Sequence, residues 1–300
     1  MKLQKDKLVS VIITTYKRPT DILKRAIMSA IGQTYKNIEI IIVNDCPEQK
    51  ELSKEIKKMI STIHDNRIKY IELDKNQGAC IARNIGIKNS NGYYIALLDD
   101  DDEWVKEKIE LQIKKFKKNV GLVYCQYYNV DNITEKKKRI DLGNRTGNLV
   151  KNLLKTNCVG GCSMPLIKTE VFEKCGYFDS NFPSSQDYDM WLRIAEKYDI
   201  ECVDEPLVIR YLQDDSISNN LEKKKKGFEA FMKKHKKLYE MYPREYNYRL
   251  NDKAERYFQL GDFKEAFELY KKALKIKKIS VYNIRTIPIG MLKFIIKRKR

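Results

Sequence analysis

Histidine is nearly absent: the 300 residues hold two, His64 and His235. The seven cysteines include no CxxC pair, so a zinc centre built on Cys and His is not expected. Neither histidine sits in a motif that would activate a thiol, which argues against cysteine nucleophilic catalysis. Cys46, Cys80, Cys125, Cys158, Cys162, Cys175 and Cys202 are odd in number and irregularly spaced. Free thiols in a reducing cytosol are therefore expected, not a disulfide framework. No apolar run approaches the roughly 18 residues that span a bilayer. Met1–Lys7 is polar, so no secretory leader is expected there.

What the chain has in excess is positive charge, a formal +18. That figure raises nucleic acid or an anionic membrane as a partner. Its distribution separates the two. Residues 221–300 hold 24 Lys+Arg against 9 Asp+Glu, whereas residues 1–220 hold 35 against 32. The larger part is close to neutral, so nucleic acid is not expected as a partner. The final "IPIGMLKFIIKRKR" joins a short apolar run to Lys293, Lys297, Arg298, Lys299 and Arg300. Two readings stand side by side there. One is a membrane-surface helix over about 284–300, which would make the protein cytoplasmic and peripheral on the inner face of the cell membrane. The other is a packed helix with a solvated basic end.

Hydrophobic residues make up 42% of the chain, enough for a sizeable core in one large or two smaller domains. The order of elements is more informative. "LVSVIITTY", "IEIIIVND", "RIKYIELD", "YYIALLD" and "VGLVYCQYYNVD" read as strands. Helical spacing separates them in "KRPTDILKRAIMSAIGQ", with Thr20 as its N-cap, and in "QKELSKEIKKMISTI" and "ACIARNIGIKNSN". A long amphipathic helix is expected over "EWVKEKIELQIKKFKKN". Alternation of this kind predicts βαβ units, a parallel sheet with helices on both faces, and a ligand crevice at the carboxyl ends of the strands. Further on, "TEKKKRIDLGNRTGN" reads as a loop, "SSQDYDMWLRIAEKYD" as a helix and "ECVDEPLVIRYL" as a strand. A boundary is expected near 217–225, which gives domains of 1–220 and 221–300.

"LLDDDDEW" places Asp99, Asp100, Asp101 and Asp102 at the end of the fourth strand. Two readings compete. Carboxylates facing a crevice are the protein's usual share of a Mg2+ site completed by phosphate oxygens and water. An acidic turn before a helix starting near Glu103 is the plainer alternative. Thr14, Thr15, Asn44 and Asp45 end the neighbouring strands and favour the crevice. In "NQGACIARN", Gly78 allows close backbone approach and Arg83 can fork onto phosphate oxygens. In "QDYDMWLRI", Asp187 stands at the loop edge and is the candidate base, while Asp189 reads as structural.

Taken together, these stretches over about residues 8–220 resemble the family 2 glycosyltransferases, with their GT-A fold. "VSVIITTYKRP" is similar to the family's opening strand, and "IIIVNDCPEQ" to its second strand and acidic turn. The resemblance implies an α/β architecture and an inverting transfer from a nucleotide-diphosphate sugar, a UDP-sugar above all, to a glycan or lipid-linked acceptor in polysaccharide or glycoconjugate synthesis. It implies nucleotide-sugar contacts from Thr14, Tyr16, Asp45, Gly78, Arg83, Asp99 and Asp100, with Asp100 as spacer. Asp99-x-Asp101 would be the DxD motif holding Mn2+ or Mg2+, with Asp101 the direct ligand and Asp187 the catalytic base. Asn44 and Gln213 depart from the family pattern, where an acid and a frequent His stand. "AERYFQLGDFKEAFELYKKALKI" resembles one tetratricopeptide-type unit, a helix pair over about 244–277.

Overall fold

A computed structural model describes residues 6–131, 134–212 and 221–276. By its internal contacts the chain forms two units, residues 1–149 with 158–231 and residues 150–157 with 232–300.

In the first unit strands and helices alternate as expected: β1 (Val9–Thr15), α1 (Thr20–Ile31), β2 (Ile38–Asn44), α2 (Lys50–Ile63), β3 (Ile68–Glu72), α3 (Ala79–Lys88) and β4 (Tyr94–Asp99). β1 lies parallel between β2 and β4, and β2 lies parallel to β3. Val9, Val11 and Ile13 share one buried cluster with Leu23, Ala26 and Ile27 of α1. Ile12 points the other way, against α3, where a methyl group on Gly86 would collide with it. Both faces are covered, so these strands are apolar along their length and do not alternate with polar residues. Pro19 takes the N-cap position of α1, and Thr20 starts the helix without a side-chain cap.

In chain order there follow β5 (Asp102–Trp104), α4 (Lys108–Ile113), β6 (Val120–Asp131), β7 (Lys137–Ile140), α5 (Val150–Lys155, of the second unit), β8 (Leu166–Lys168), α6 (Glu170–Cys175), α7 (Gln186–Ala195), β9 (Asp199–Leu212) and α8 (Leu221–Lys234). The strands of the first unit form one sheet in the order β3-β2-β1-β4-β8-β6-β9-β5, with β7 beside β6. Its second half is mixed. β8 runs antiparallel to β4 and β6, and β9 runs parallel to β6.

Two expectations are corrected here. The long helix from Glu103 does not form. Asp102–Trp104 instead pairs antiparallel with Val208–Arg210, and the Lys106 carbonyl accepts from the Thr34 amide. These tertiary partners hold the backbone extended, and helix starts only at Lys108. The loop expected over "TEKKKRIDLGNRTGN" is in part a strand, since Lys137–Ile140 pairs with Tyr127–Val130 of β6.

In the second unit, α5 is joined by α9 (Lys236–Met241), α10 (Pro243–Leu260) and α11 (Phe263–Lys275). The Tyr239 hydroxyl donates to the Leu154 carbonyl at 2.9 Å, and Arg249 donates to that of Lys155 at 3.3 Å. α10 and α11 form a hairpin through Gly261, whose φ of 84° needs glycine, with Ala254, Ala266 and Ala273 buried. Gln213 and the basic end over 284–300 lie outside the described residues. Among the described residues no helix is long and apolar enough to cross a membrane.

The start of β4 is tightly built. The Gly92 amide donates to Ser10 Oγ at 2.8 Å, and a Cβ on Gly92 would stand 2.6 Å from the Ser10 nitrogen and 2.7 Å from the Tyr94 oxygen. Those are backbone atoms and cannot step aside. Gly92→Ala is expected to destabilise the first unit by about 1–3 kcal/mol, the usual range for overpacking. A lower urea midpoint at unchanged slope would register it, and an unchanged midpoint would refute it.

Candidate active site at the carboxyl ends of the strands

The parallel register brings three polar strand ends to one level. Thr14 pairs with Asp99, and Thr15 pairs with Asn44. β4 stops at Asp99, and the chain turns through Asp100 and Asp101 into β5. The four aspartates therefore have different surroundings. Asp100 and Asp102 are buried, whereas the side chains of Asp99 and Asp101 keep 34% and 26% of their exposure. That alternation leaves Asp99 and Asp101 as the pair open to a ligand.

Arginines from separate elements answer this negative charge. Arg83 of α3 donates to Asp99 Oδ1 at 2.8 Å. Arg18, just after β1, donates from Nε to Asp100 Oδ1 at 2.9 Å and from Nη2 to Asp101 Oδ2 at 3.1 Å. Arg210 of β9 stands 3.8 Å from Asp102. Arg25 of α1 donates to the Asp101 carbonyl at 3.0 Å and stacks 3.5 Å above the Tyr211 ring, which fixes the turn's backbone. Ser163 Oγ accepts the Asp99 amide at 3.0 Å, and its carbonyl accepts the Trp104 indole at 3.0 Å. Burial raises the Asp100 carboxyl to about 6 despite Arg18. Burial, and then the charge of Asp99, raises Asp101 and Asp102 as well. Carboxylates crowded and desolvated in this way favour a cation.

Asp45 has a different place from its neighbours. It is buried, and its carboxylate accepts the amides of Gln77 at 2.7 Å and Gly78 at 2.8 Å, and the Asn76 side chain at 3.1 Å. It thus clasps the loop after β3 to the end of β2. Burial still raises its pKa against those donors. Gly78 has φ of 85° and open space where a Cβ would be, so its backbone angle, not close packing, calls for glycine. Asn44 binds Ser53 and Tyr70. Tyr16 is exposed, with Lys17 over its ring at 5.0 Å, and Lys17 has φ of 53°.

On the far side of α3, the Asn84 side chain exchanges two hydrogen bonds with the Phe178 backbone, at 2.8 and 3.0 Å. This ties the "GYFDSN" loop to the helix that carries Arg83. α7 follows, entered through Ser185 in the left-handed region, with φ of 67°. Asp187 in its first turn accepts the Tyr188 amide at 2.7 Å. Burial raises the Asp187 pKa, while that amide and the Arg83 charge lower it and Asp99 raises it again. Asp187 thus feels both Arg83 and Asp99. Asp189 is fully buried and held by Arg193 at 2.8 Å, which gives it the structural role expected.

Sequence reasoning misses Arg18, Arg25, Ser163 and Arg210. Arg18 carries a usable signal, since it stands three residues after β1 ends. The other three come to the aspartates only through tertiary pairing. Among the described residues, no group of three or more His, Cys, Asp and Glu side chains is arranged to hold a metal alone. One or two carboxylates are the usual protein share of a Mg2+ site whose shell phosphate and water complete.

Known proteins share this arrangement of elements. A mannosyltransferase from Pyrobaculum calidifontis, solved in complex with GDP-Man and Mn2+, superposes with a TM-score of 0.60 at 13% identity, over 95% of this chain and 79% of its own. An uncharacterized glycosyltransferase of Rickettsia conorii is 34% identical over 67% of this chain, and the match spans about a third (32%) of that protein's length. An Escherichia coli protein described as UDP-Glc:alpha-D-GlcNAc-diphosphoundecaprenol beta-1,3-glucosyltransferase is 30% identical, over 72% of this chain and 81% of its own. The model of the family described as Glycosyl transferase family 2 matches residues 10–176, from β1 through the Asp99–Asp102 turn to the start of the loop that Asn84 holds. With more than half of the chain inside that match, the protein belongs to glycosyl transferase family 2.

Proposed function

We propose that this protein is an inverting glycosyltransferase that moves a sugar from a nucleotide-diphosphate sugar, most simply a UDP-sugar, to an acceptor hydroxyl. The observation that carries the reading is the half-buried pair Asp99 and Asp101 at and just after the end of β4, with Arg83 on Asp99 and Asp187 under the charges of Arg83 and Asp99. The Escherichia coli relative, whose description names UDP-Glc and a diphosphoundecaprenol-linked sugar, supports a UDP donor and a lipid-linked acceptor. Synthesis of a cell-surface polysaccharide or glycoconjugate suits that acceptor.

Asp101 and Asp99 would hold Mn2+ or Mg2+, which when bound neutralises charge on the departing diphosphate. Arg83 supplies a second positive charge beside that leaving group. Thr14 and Tyr16 border the place of the nucleotide, and Asp45 acts on it through the Gln77–Gly78 loop it holds. Asp187 takes the proton from the acceptor hydroxyl as that oxygen attacks the anomeric carbon. A single base and in-line attack imply inversion.

The second unit supports a place at a membrane surface. It holds 22 Lys+Arg against 7 Asp+Glu, a balance that attracts anionic headgroups. The full chain is expected to sediment with phosphatidylserine-containing vesicles at low salt, not with neutral ones. Equal recovery with both would exclude this part.

Asp101→Ala is expected to lower kcat by at least two orders of magnitude, since several kcal/mol of leaving-group stabilisation are removed, with unfolding midpoint little changed. Release of UDP, measured with and without chelator, tests it. Undiminished, metal-independent turnover in the variant would sink the assignment.

Asp187 works as a base only when ionised. Its pKa is raised by burial, so activity is expected to fall on acidification at a pH above the ordinary Asp value of about 3.9. Asp187→Asn should cost about 100- to 10,000-fold and change the shape of that acid limb, leaving only the part due to the raised Asp101. A pH–rate profile that is the same in both proteins would rule out the role.

A further inference from the structure

Arg18 makes a strong contact at the DxD turn for which the reaction as described has no use. It grips two carboxylates at once, Asp100 from Nε at 2.9 Å and Asp101 from Nη2 at 3.1 Å. Asp101 Oδ2 is an oxygen that a cation would take. The other arginines differ. Arg25 meets the backbone carbonyl of Asp101, and Arg210 stands beside buried Asp102. Arg18 keeps 22% of its side-chain exposure and sits on a short segment between β1 and α1, after Lys17 in its left-handed conformation. Arg18 is thus carried by a connecting segment and not by a strand or helix of the core.

We propose that Arg18 is the counter-ion of Asp101 in the unliganded protein, as Arg83 is of Asp99, and that Arg18 yields Asp101 to a divalent cation when a diphosphate arrives to receive the guanidinium. The inference rests on the metal reading above. Its physical basis is that a guanidinium and a divalent cation repel each other at one carboxylate. A cation alone must bind against Arg18. A cation that arrives with a diphosphate brings two negative centres, and the planar donor fork of Arg18 suits phosphate oxygens as well as carboxylates. Arg18 then changes from a competitor of the metal into a ligand of the substrate. Metal and nucleotide must assist each other's binding to the same degree, because the coupling free energy is shared.

A merely structural arginine predicts the opposite sign. If Arg18 only braced the turn, its removal would loosen the ligands and weaken metal binding. If it is the counter-ion, its removal tightens binding of the metal alone.

The test is titration of Mn2+ into the full chain by electron paramagnetic resonance, with and without UDP, for wild type, Arg18→Gln and Arg18→Lys. Thermal midpoints establish that each variant is folded. Arg18→Gln should bind Mn2+ alone at least about tenfold more tightly than wild type, a gain of about 1.4 kcal/mol. The enhancement of Mn2+ binding by UDP should shrink by a similar factor. Arg18→Lys keeps the charge but cannot bridge both carboxylates, and should fall between. Equal or weaker Mn2+ binding by folded Arg18→Gln overturns the counter-ion role. If no protein binds Mn2+ even with UDP, the metal reading falls and takes this inference with it.

Discussion

Four adjacent carboxylates at the end of a buried strand impose a charge that must be balanced locally, and much of the first unit is organised around that balance. Within the interior, like charges this close drive one another toward protonation. Arg18, Arg83 and Arg210 come from the segment after β1, from α3 and from β9 to meet them. Each of those elements is held to the sheet by apolar packing or strand pairing that has nothing to do with charge. The sheet thus decides where the arginines stand, and burial decides which carboxylates keep some exposure. The turn between β4 and β5, which buries Asp100 and Asp102 and leaves Asp99 and Asp101 half-buried, completes the division.

The same division of roles appears in the other acids. Asp45 and Asp189 are buried and fully engaged, one by backbone amides and a side-chain amide, the other by Arg193. They shape the loop before α3 and the helix α7. Arg83 lies on α3, which follows that loop, Asp187 lies on α7, and the Asn84–Phe178 clasp joins α3 to the loop ahead of α7. The candidate base and the candidate diphosphate contact are therefore held together by hydrogen bonds that neither makes itself. The left-handed backbone at Lys17 and Ser185 marks the two segments that present Arg18 and Asp187. Strain of that kind persists only where the surroundings enforce it.

The parallel half of the sheet is legible in the sequence because its strands are buried on both faces, and such strands are apolar without interruption. The Asp99-x-Asp101 pair is legible for a related reason: polar residues that follow an apolar strand abruptly must lie at its end. Periodicity misleads over residues 103–107 and 114–119, on either side of the helix Lys108–Ile113. "EWVKEKIELQIKK" does have helical spacing, but backbone pairing of Asp102–Trp104 with β9 outcompetes it. No local pattern announces a partner so distant along the chain. Gly78 stands out in the sequence for close backbone approach, and the fold adds a φ of 85° that itself calls for glycine.

The sequence by itself determined the α/β alternation, the level at which the strands end, and the residues that carry negative charge into the crevice. These follow from the periodicity of burial along the chain, which is a local property. The tertiary structure alone decided which of the four aspartates faces solvent, that Asp45 is bound by a loop, and that Arg18, Arg210 and Ser163 converge on the same turn. Convergence depends on strand order and crossover, which bring residues far apart in sequence within 2.9 to 3.8 Å of each other. Charge balance at a site is a sum over neighbours in space, and a sequence names those neighbours only once the chain has folded.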